Sequence, residues 1–227
     1  MYTLHPWKRK LATVLVPALV LTVGLAAPSA AAAKAGQMQA VEAAMLAQQL
    51  AQYGWRVQSP EALAVAAQIL LDNEAQPFGG EKEHKPDRES ADVAQLEPEE
   101  LLAAAAELAF GRPGCLALVQ QLQKRLQMNS RGRIPGPMIH RDRIASGDDD
   151  VYNITFRGGE VAIVRVVGEG TTNLDLRVYD ENDRLVGEDT GPTDRCSAIW
   201  KVSGNKKYRI RITNLGDGPN TYTLATN

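Results

Sequence analysis

The chain has 227 residues, 44% of them hydrophobic, with a formal net charge of −2 and two cysteines. That length suits one large or two small domains, and that apolar content suits a packed core. The near-balanced charge argues against nucleic-acid binding, which needs a concentrated basic face.

Residues 1–33 read as a signal peptide. Lys8, Arg9 and Lys10 form a basic start, Leu11 to Leu25 is apolar, and Ala27 to Ala33 supplies the small residues a signal peptidase needs. The apolar run is shorter than the about 20 residues of a comfortable span, so no stable membrane span is expected after cleavage. Cleavage after Ala33 takes the formal charge from −2 to −5, since three basic residues and no acids leave. The expected address is secreted or periplasmic.

Residues 37–128 read as an Ala-rich helical domain of about four helices. Met38, Val41, Met45, Leu46, Leu50 and Tyr53 recur at helical steps, and Gly54 reads as the stop. Ser59-Pro60-Glu61 starts a second helix: a capping hydroxyl, a proline at the first position, and an acid near the positive end of the dipole. Residues 76–95 are charged and poor in apolar side chains, and read as a mobile loop holding His84 among Glu81, Glu83 and Asp87. Glu97-Pro98-Glu99 restarts a helix with Leu101, Leu102, Ala105 and Leu108 on its stripe. The last helix follows Pro113, with Leu116, Val119, Leu122 and Leu126 on one face. Residues 129–150 read as a linker carrying Arg131, Arg133, Arg141, Arg143 and His140.

From Val151 to Asn227 the pattern changes to alternation. Tyr152, Ile154 and Phe156 share one face. Ala162, Val164 and Val166 share another, with Val161, Ile163 and Val167 opposite them. Leu174, Leu176 and Val178 alternate with Asp175, Arg177 and Tyr179, and Asp180 to Asp183 supplies a turn. Trp200, Leu176 and Tyr208 belong on inner faces. Short strands with frequent turns predict an antiparallel sandwich. The fold class is therefore α+β in two segregated parts, helices first and sandwich second.

Several of these strands together resemble the bacterial pre-peptidase C-terminal domain, over about residues 149–227. The resemblance rests on Asn173-Leu-Asp-Leu-Arg-Val-Tyr-Asp180, Tyr208-Arg-Ile-Arg-Ile-Thr-Asn214, Trp200 and Tyr222-Thr-Leu224. It implies a jelly-roll-like β-sandwich, an exported bacterial protein and a non-catalytic module. In some members of that family the domain binds substrate polymers or calcium. The helical half resembles no family.

The catalytic spellings are absent: no Gly-x-Ser-x-Gly, no His-Glu-x-x-His, no phosphate-binding glycine loop and no Cys-x-x-Cys. The expected function is a secreted binding or assembly module for an extracellular polymer or protein partner. The candidate anchors are Asp175, Arg177, Tyr179, Asp180, Arg209 and Arg211. No cofactor is expected except calcium, for which Asp180, Asn182, Asp183 and Asp189 offer hard oxygens. In an exported chain two cysteines point to one disulfide, Cys115–Cys196, against the alternative of two separate buried thiols. The competing function is a small secreted hydrolase with an unrecognised site in the helical half or linker, which a pocket joining His140 with Asp and Ser side chains would favour.

Overall fold

The computed structural model describes residues 30–83, 93–129, 136–170 and 172–227. The basic and apolar parts of the signal sequence, and His84, lie outside the described residues. Among the described residues no helix is long and apolar enough to cross a membrane.

The described residues form four helices: α1 (Ala30–Val57), α2 (Pro60–Asp72), α3 (Pro98–Leu108) and α4 (Pro113–Asn129). The α2 start is built as its residues dictate. Ser59 Oγ accepts the Ala62 N–H at 3.2 Å, and Pro60 fills the first helical position. Gly54 does not stop α1. The helix runs through it and ends where Gln58 turns left-handed at φ 53°, with Ser59 N–H returning to the Gly54 carbonyl at 2.8 Å. Gly54 serves packing instead: a Cβ there would stand 2.9 Å from Leu63 Cδ2 and 3.1 Å from Ala62 Cβ. The missing side chain lets α1 and α2 cross closely.

Ten strands follow. Two are short: β1 (Gln76–Pro77) and β2 (Glu81–Lys82). The others are β3 (Met138–Ile144), β4 (Asp149–Phe156), β5 (Val161–Gly168), β6 (Leu174–Tyr179), β7 (Leu185–Asp189), β8 (Arg195–Lys201), β9 (Lys206–Asn214) and β10 (Asn220–Thr226). They make two five-stranded sheets, in the orders β1-β3-β10-β5-β8 and β2-β4-β9-β6-β7. Every pairing is antiparallel except β1 with β3.

Period-two alternation fills the space between the sheets. Tyr152, Ile154, Val164, Val166, Leu176, Val178, Ile210 and Ile212 meet there in one core. Leu176, Tyr208 and Trp200 are 0%, 4% and 8% exposed, as their strand faces require. The apolar residues on the other side of β5 have a separate use: Ile163 packs with Ala225 of β10 against Val41 and Met45 of α1. α1 therefore lies on the outer face of the first sheet, with α2 packed on α1 and α3 and α4 on α2, making a third, helical layer.

Two further sequence expectations change. Residues 129–150 are not a plain linker, because β3 pairs with β10 along its whole length, from Met138↔Thr226 to Ile144↔Asn220. Its charged run hides the strand: Arg141 and Asp142 are buried on opposite faces, each with dedicated partners. The loop read over 76–95 begins as structure too, since Gln76 to Lys82 adds one short strand to each sheet.

Candidate functional site

With α1 over the first sheet, the outer face of the second sheet lies on the far side of the molecule, and five of the six expected anchors collect there. Registry sets the rows. Tyr179 stands opposite Arg209, which stands opposite Asn153. Arg177 stands opposite Arg211, which stands opposite Val151. The Arg209 guanidinium lies over the Tyr179 ring, 5.1 Å from its centroid, and its Nη1 is 2.7 Å from Asp183 Oδ1. Arg177 Nη2 donates to Asp175 Oδ2 at 3.0 Å, and Arg211 Nε is 3.5 Å from Asp149 Oδ2. Asp175 is 4% exposed, and its Oδ1 has no hydrogen-bond partner among the described residues.

Asp180 is not part of this face. Its carboxylate folds into the β6–β7 turn, accepting the Asn182 and Arg184 N–H groups at 2.9 and 3.0 Å and Arg184 Nε at 2.8 Å. The Arg184 guanidinium and these N–H groups hold its carboxyl down to about 2. The other expected calcium residues are spread over separate networks. Asp183 pairs with Arg209, Asp189 accepts the Gly191 and Ser197 N–H groups, and Asn182 is exposed. Among the described residues no three of His, Cys, Asp and Glu gather as a metal site would require.

The expected disulfide is absent. Cys115 and Cys196 are both free and buried. Cys115 packs among Val119 and Leu122 in the helical core. Cys196 belongs to the sandwich core, where its Sγ donates to the Leu174 carbonyl at 3.0 Å. Each thiol completes a different interior. Burial, with the nearby charges of Asp189, Asp175 and Asp194, pushes the Cys196 thiol up to about 12.

A second cluster lies between the sheets, at the edge that β1 and β2 close. Residues 76–83 cross from one sheet to the other here and act as a strap. Phe78 stacks on His140 at 5.2 Å and meets Tyr152 edge-on at 5.4 Å. Lys82 Nζ pairs with Asp142, lies 3.0 Å from Asp150 Oδ1, and sits 5.8 Å from the Tyr152 ring centroid. Beneath it, Tyr152 Oη donates to Asp142 Oδ2 at 2.8 Å and Tyr222 Oη donates to Asp150 Oδ2 at 2.7 Å. The two phenol oxygens are 2.6 Å apart. Each phenol has one proton, so that last contact is a hydrogen bond only when a third proton sits on the chain.

Burial alone would raise the Asp142 carboxyl. Hydrogen bonds from His140, Lys82, the Arg143 N–H and Tyr152 outweigh it and hold the group well below the usual carboxylate range. Both phenols are pushed far above their ordinary value, by burial and by charged or polar neighbours within the cluster. Sequence reading missed this cluster because it assigned Lys82 to a loop and His140 to a linker. Tyr152 was the available signal: a tyrosine on an inner strand face needs a partner for its hydroxyl. Elsewhere, a mostly apolar hollow of about 480 Å³ lies where α1 meets β1, β3 and β5. Ala40, Pro77, Met138, Phe156 and Val202 line it, and it holds none of the expected site residues.

No family model and no curated protein matches this chain. Solved structures do. The pre-peptidase C-terminal domain of collagenase from Bacillus anthracis is similar at 17% identity, over 40% of this chain and 88% of that one, with a TM-score of 0.36. A periplasmic inhibitor of g-type lysozyme from Aeromonas hydrophila is similar at 14% identity, over 40% and 84% of the two chains, with a TM-score of 0.32. A carbohydrate-binding and xylanase module pair from Clostridium thermocellum is similar at 18% identity, over 36% and 19%, with a TM-score of 0.24.

Proposed function

We propose that this chain is an exported, non-catalytic binding module, secreted or periplasmic, that holds an extracellular polymer or protein partner on the outer face of its second sheet. One observation carries the reading: Tyr179, Arg209, Arg177 and Arg211 stand in adjacent register on the sheet face that α1 leaves uncovered. An aromatic ring under a guanidinium is a rigid amphipathic anchor, and a few such anchors dominate binding energy. Each arginine has an acidic neighbour, so the face is mixed in charge. That suits a protein or polysaccharide surface better than a nucleic acid. The order of residues 1–33 supports export.

The hydrolase alternative would work through His140. Its Nε2 is 3.6 Å from Asp142 Oδ2, but its ring is stacked under Phe78, and Ser146 donates instead to the Gly216 carbonyl at 2.6 Å. Among the described residues no hydrogen bond joins a serine to the imidazole.

Affinity electrophoresis of the mature protein through gels carrying neutral or acidic polysaccharides, with pull-down from extracellular protein, tests the reading. At least one ligand should retard the wild type, and Tyr179→Ala and Arg209→Ala should each weaken binding about tenfold. Ligand binding untouched by both variants would sink the proposed face. Turnover abolished by His140→Ala would replace the module with a hydrolase.

A further inference from the structure

The strap over residues 76–83 makes contacts of the kind a bound peptide makes. Its backbone extends both sheets at their edges: Gln76 N–H donates to the Pro137 carbonyl and Glu83 N–H to the Val151 carbonyl, each at 2.8 Å. That is strand addition, in which main-chain bonds supply adhesion and side-chain pockets supply choice. The pockets are well defined. One is aromatic, formed by the His140 face and the Tyr152 ring, and takes Phe78. The other is anionic, formed by Asp142 and Asp150 over the Tyr152 ring, and takes the Lys82 ammonium. With Lys82 seated, Asp150 is 1% exposed and Asp142 is 6% exposed, so the ammonium and the fold around it cover both carboxylates. Two carboxylates with an aromatic ring beside them recognise a primary ammonium by charge and by cation–π attraction together.

The strap's own hold on the sheets is short. β1 and β2 have two residues each, joined through Phe78, Gly79 and Gly80. Gly80 presses against the sheet: a Cβ there would stand 2.5 Å from the Phe78 ring and 2.8 Å from Ile154 Cγ1. The edge thus fits a backbone without a side chain at that place, between an aromatic anchor and an amine anchor.

We infer that the shared edge of β3 and β4 is a recognition site for an extended peptide that carries an aromatic residue and, four positions on, a primary amine. The strap occupies this site in cis. A partner segment with the same two anchors takes it in trans when the strap opens. This site is separate from the outer face proposed above, and neither depends on the other.

The test uses the full chain with Phe78→Ala and Lys82→Ala together, which empties both pockets, and a synthetic peptide of residues 74–83 as probe. The emptied protein should bind the peptide saturably in calorimetry. Peptides with Phe78→Ala or Lys82→Ala should bind at least about tenfold more weakly, a loss of about 1.4 kcal/mol. A folded double variant that leaves the peptide unbound would overturn the inference. Hydrogen exchange on the wild type gives an independent decision. The Gln76 and Glu83 amides should exchange through openings that leave the β9 amides protected. Exchange of both amides only together with β9 would also overturn it.

Discussion

Tyr152 and Tyr222 meet hydroxyl to hydroxyl between the two sheets, 2.6 Å apart, with Asp142 behind one and Asp150 behind the other. The pair joins β4 of one sheet to β10 of the other through a polar chain set inside an otherwise apolar core.

Removing one hydroxyl from that chain should be costly. Tyr222→Phe leaves Asp150 Oδ2 without its phenol donor in a buried place, so urea unfolding should show a loss of about 1–3 kcal/mol. The double variant Tyr152→Phe, Tyr222→Phe should cost less than the sum of the single changes, since both belong to one network. Strict additivity would mean that the two phenols act independently.

Acid should act partly through Asp142. Its folded-state carboxyl is depressed, so its contribution is complete above the unfolded value, near about 4, and is lost as pH falls through the lower folded value. The stability difference between wild type and Asp142→Asn should be constant above about pH 5 and shrink below about pH 4. Unfolding curves from pH 7 to pH 2 measure this. A difference that grows in acid would contradict the assigned sign.

Gly54→Ala should reverse the ordinary rule. In an open helix the change stabilises by about 1 kcal/mol. Here the new methyl meets Leu63 and Ala62 across the α1–α2 crossing, and Leu63 is fully buried. The net effect should be a loss of about 1–2 kcal/mol. A gain in melting temperature would show that the crossing has room to spare.

The thiols should be silent while the protein is folded. Cys196 is buried and its thiol stands at about 12, and burial raises Cys115 as well. Native protein should react with a thiol reagent only slowly, and denatured protein should release two equivalents at once. A native mass lower by two hydrogens would restore the disulfide.

Leu176→Ala tests the core register. Leu176 is 0% exposed at the centre of the sandwich, and the change should cost about 2–5 kcal/mol. A loss below about 0.5 kcal/mol would put the residue on the wrong face.

The inner faces were legible because alternation needs only a count of two. Tyr152, Ile154 and Phe156 landed together for that reason, as did five of the six candidate residues of the outer face. Both faces of β5 are apolar in the sequence, and the structure explains the second with α1. β3 was illegible because its polar residues are satisfied at a distance. Arg141 donates to the Ala94 carbonyl and its N–H to Gln95 Oε1, while Asp142 takes Lys82 and Tyr152. A strand whose charges are consumed by remote segments has no local signature. The strap escaped notice for the same reason, since Lys82 gains its meaning only from Asp142 and Asp150.

A sandwich has four outer strands, and each bare one invites association with a stranger. Here the segment from Gln76 to Lys82 seals two of them at once, one in each sheet. The remaining two are β8 and β7. β8 carries Arg195 and Lys201, β7 carries Glu188 and Asp189, and the pairing slips register beside Tyr179. Charge and irregularity of this kind discourage sheet-to-sheet aggregation. The solubility of the β half is therefore supplied in part by residues that lie between helices in the chain. A change in the strap that leaves every core residue intact would show itself first as clumping, before any loss of the folded signal.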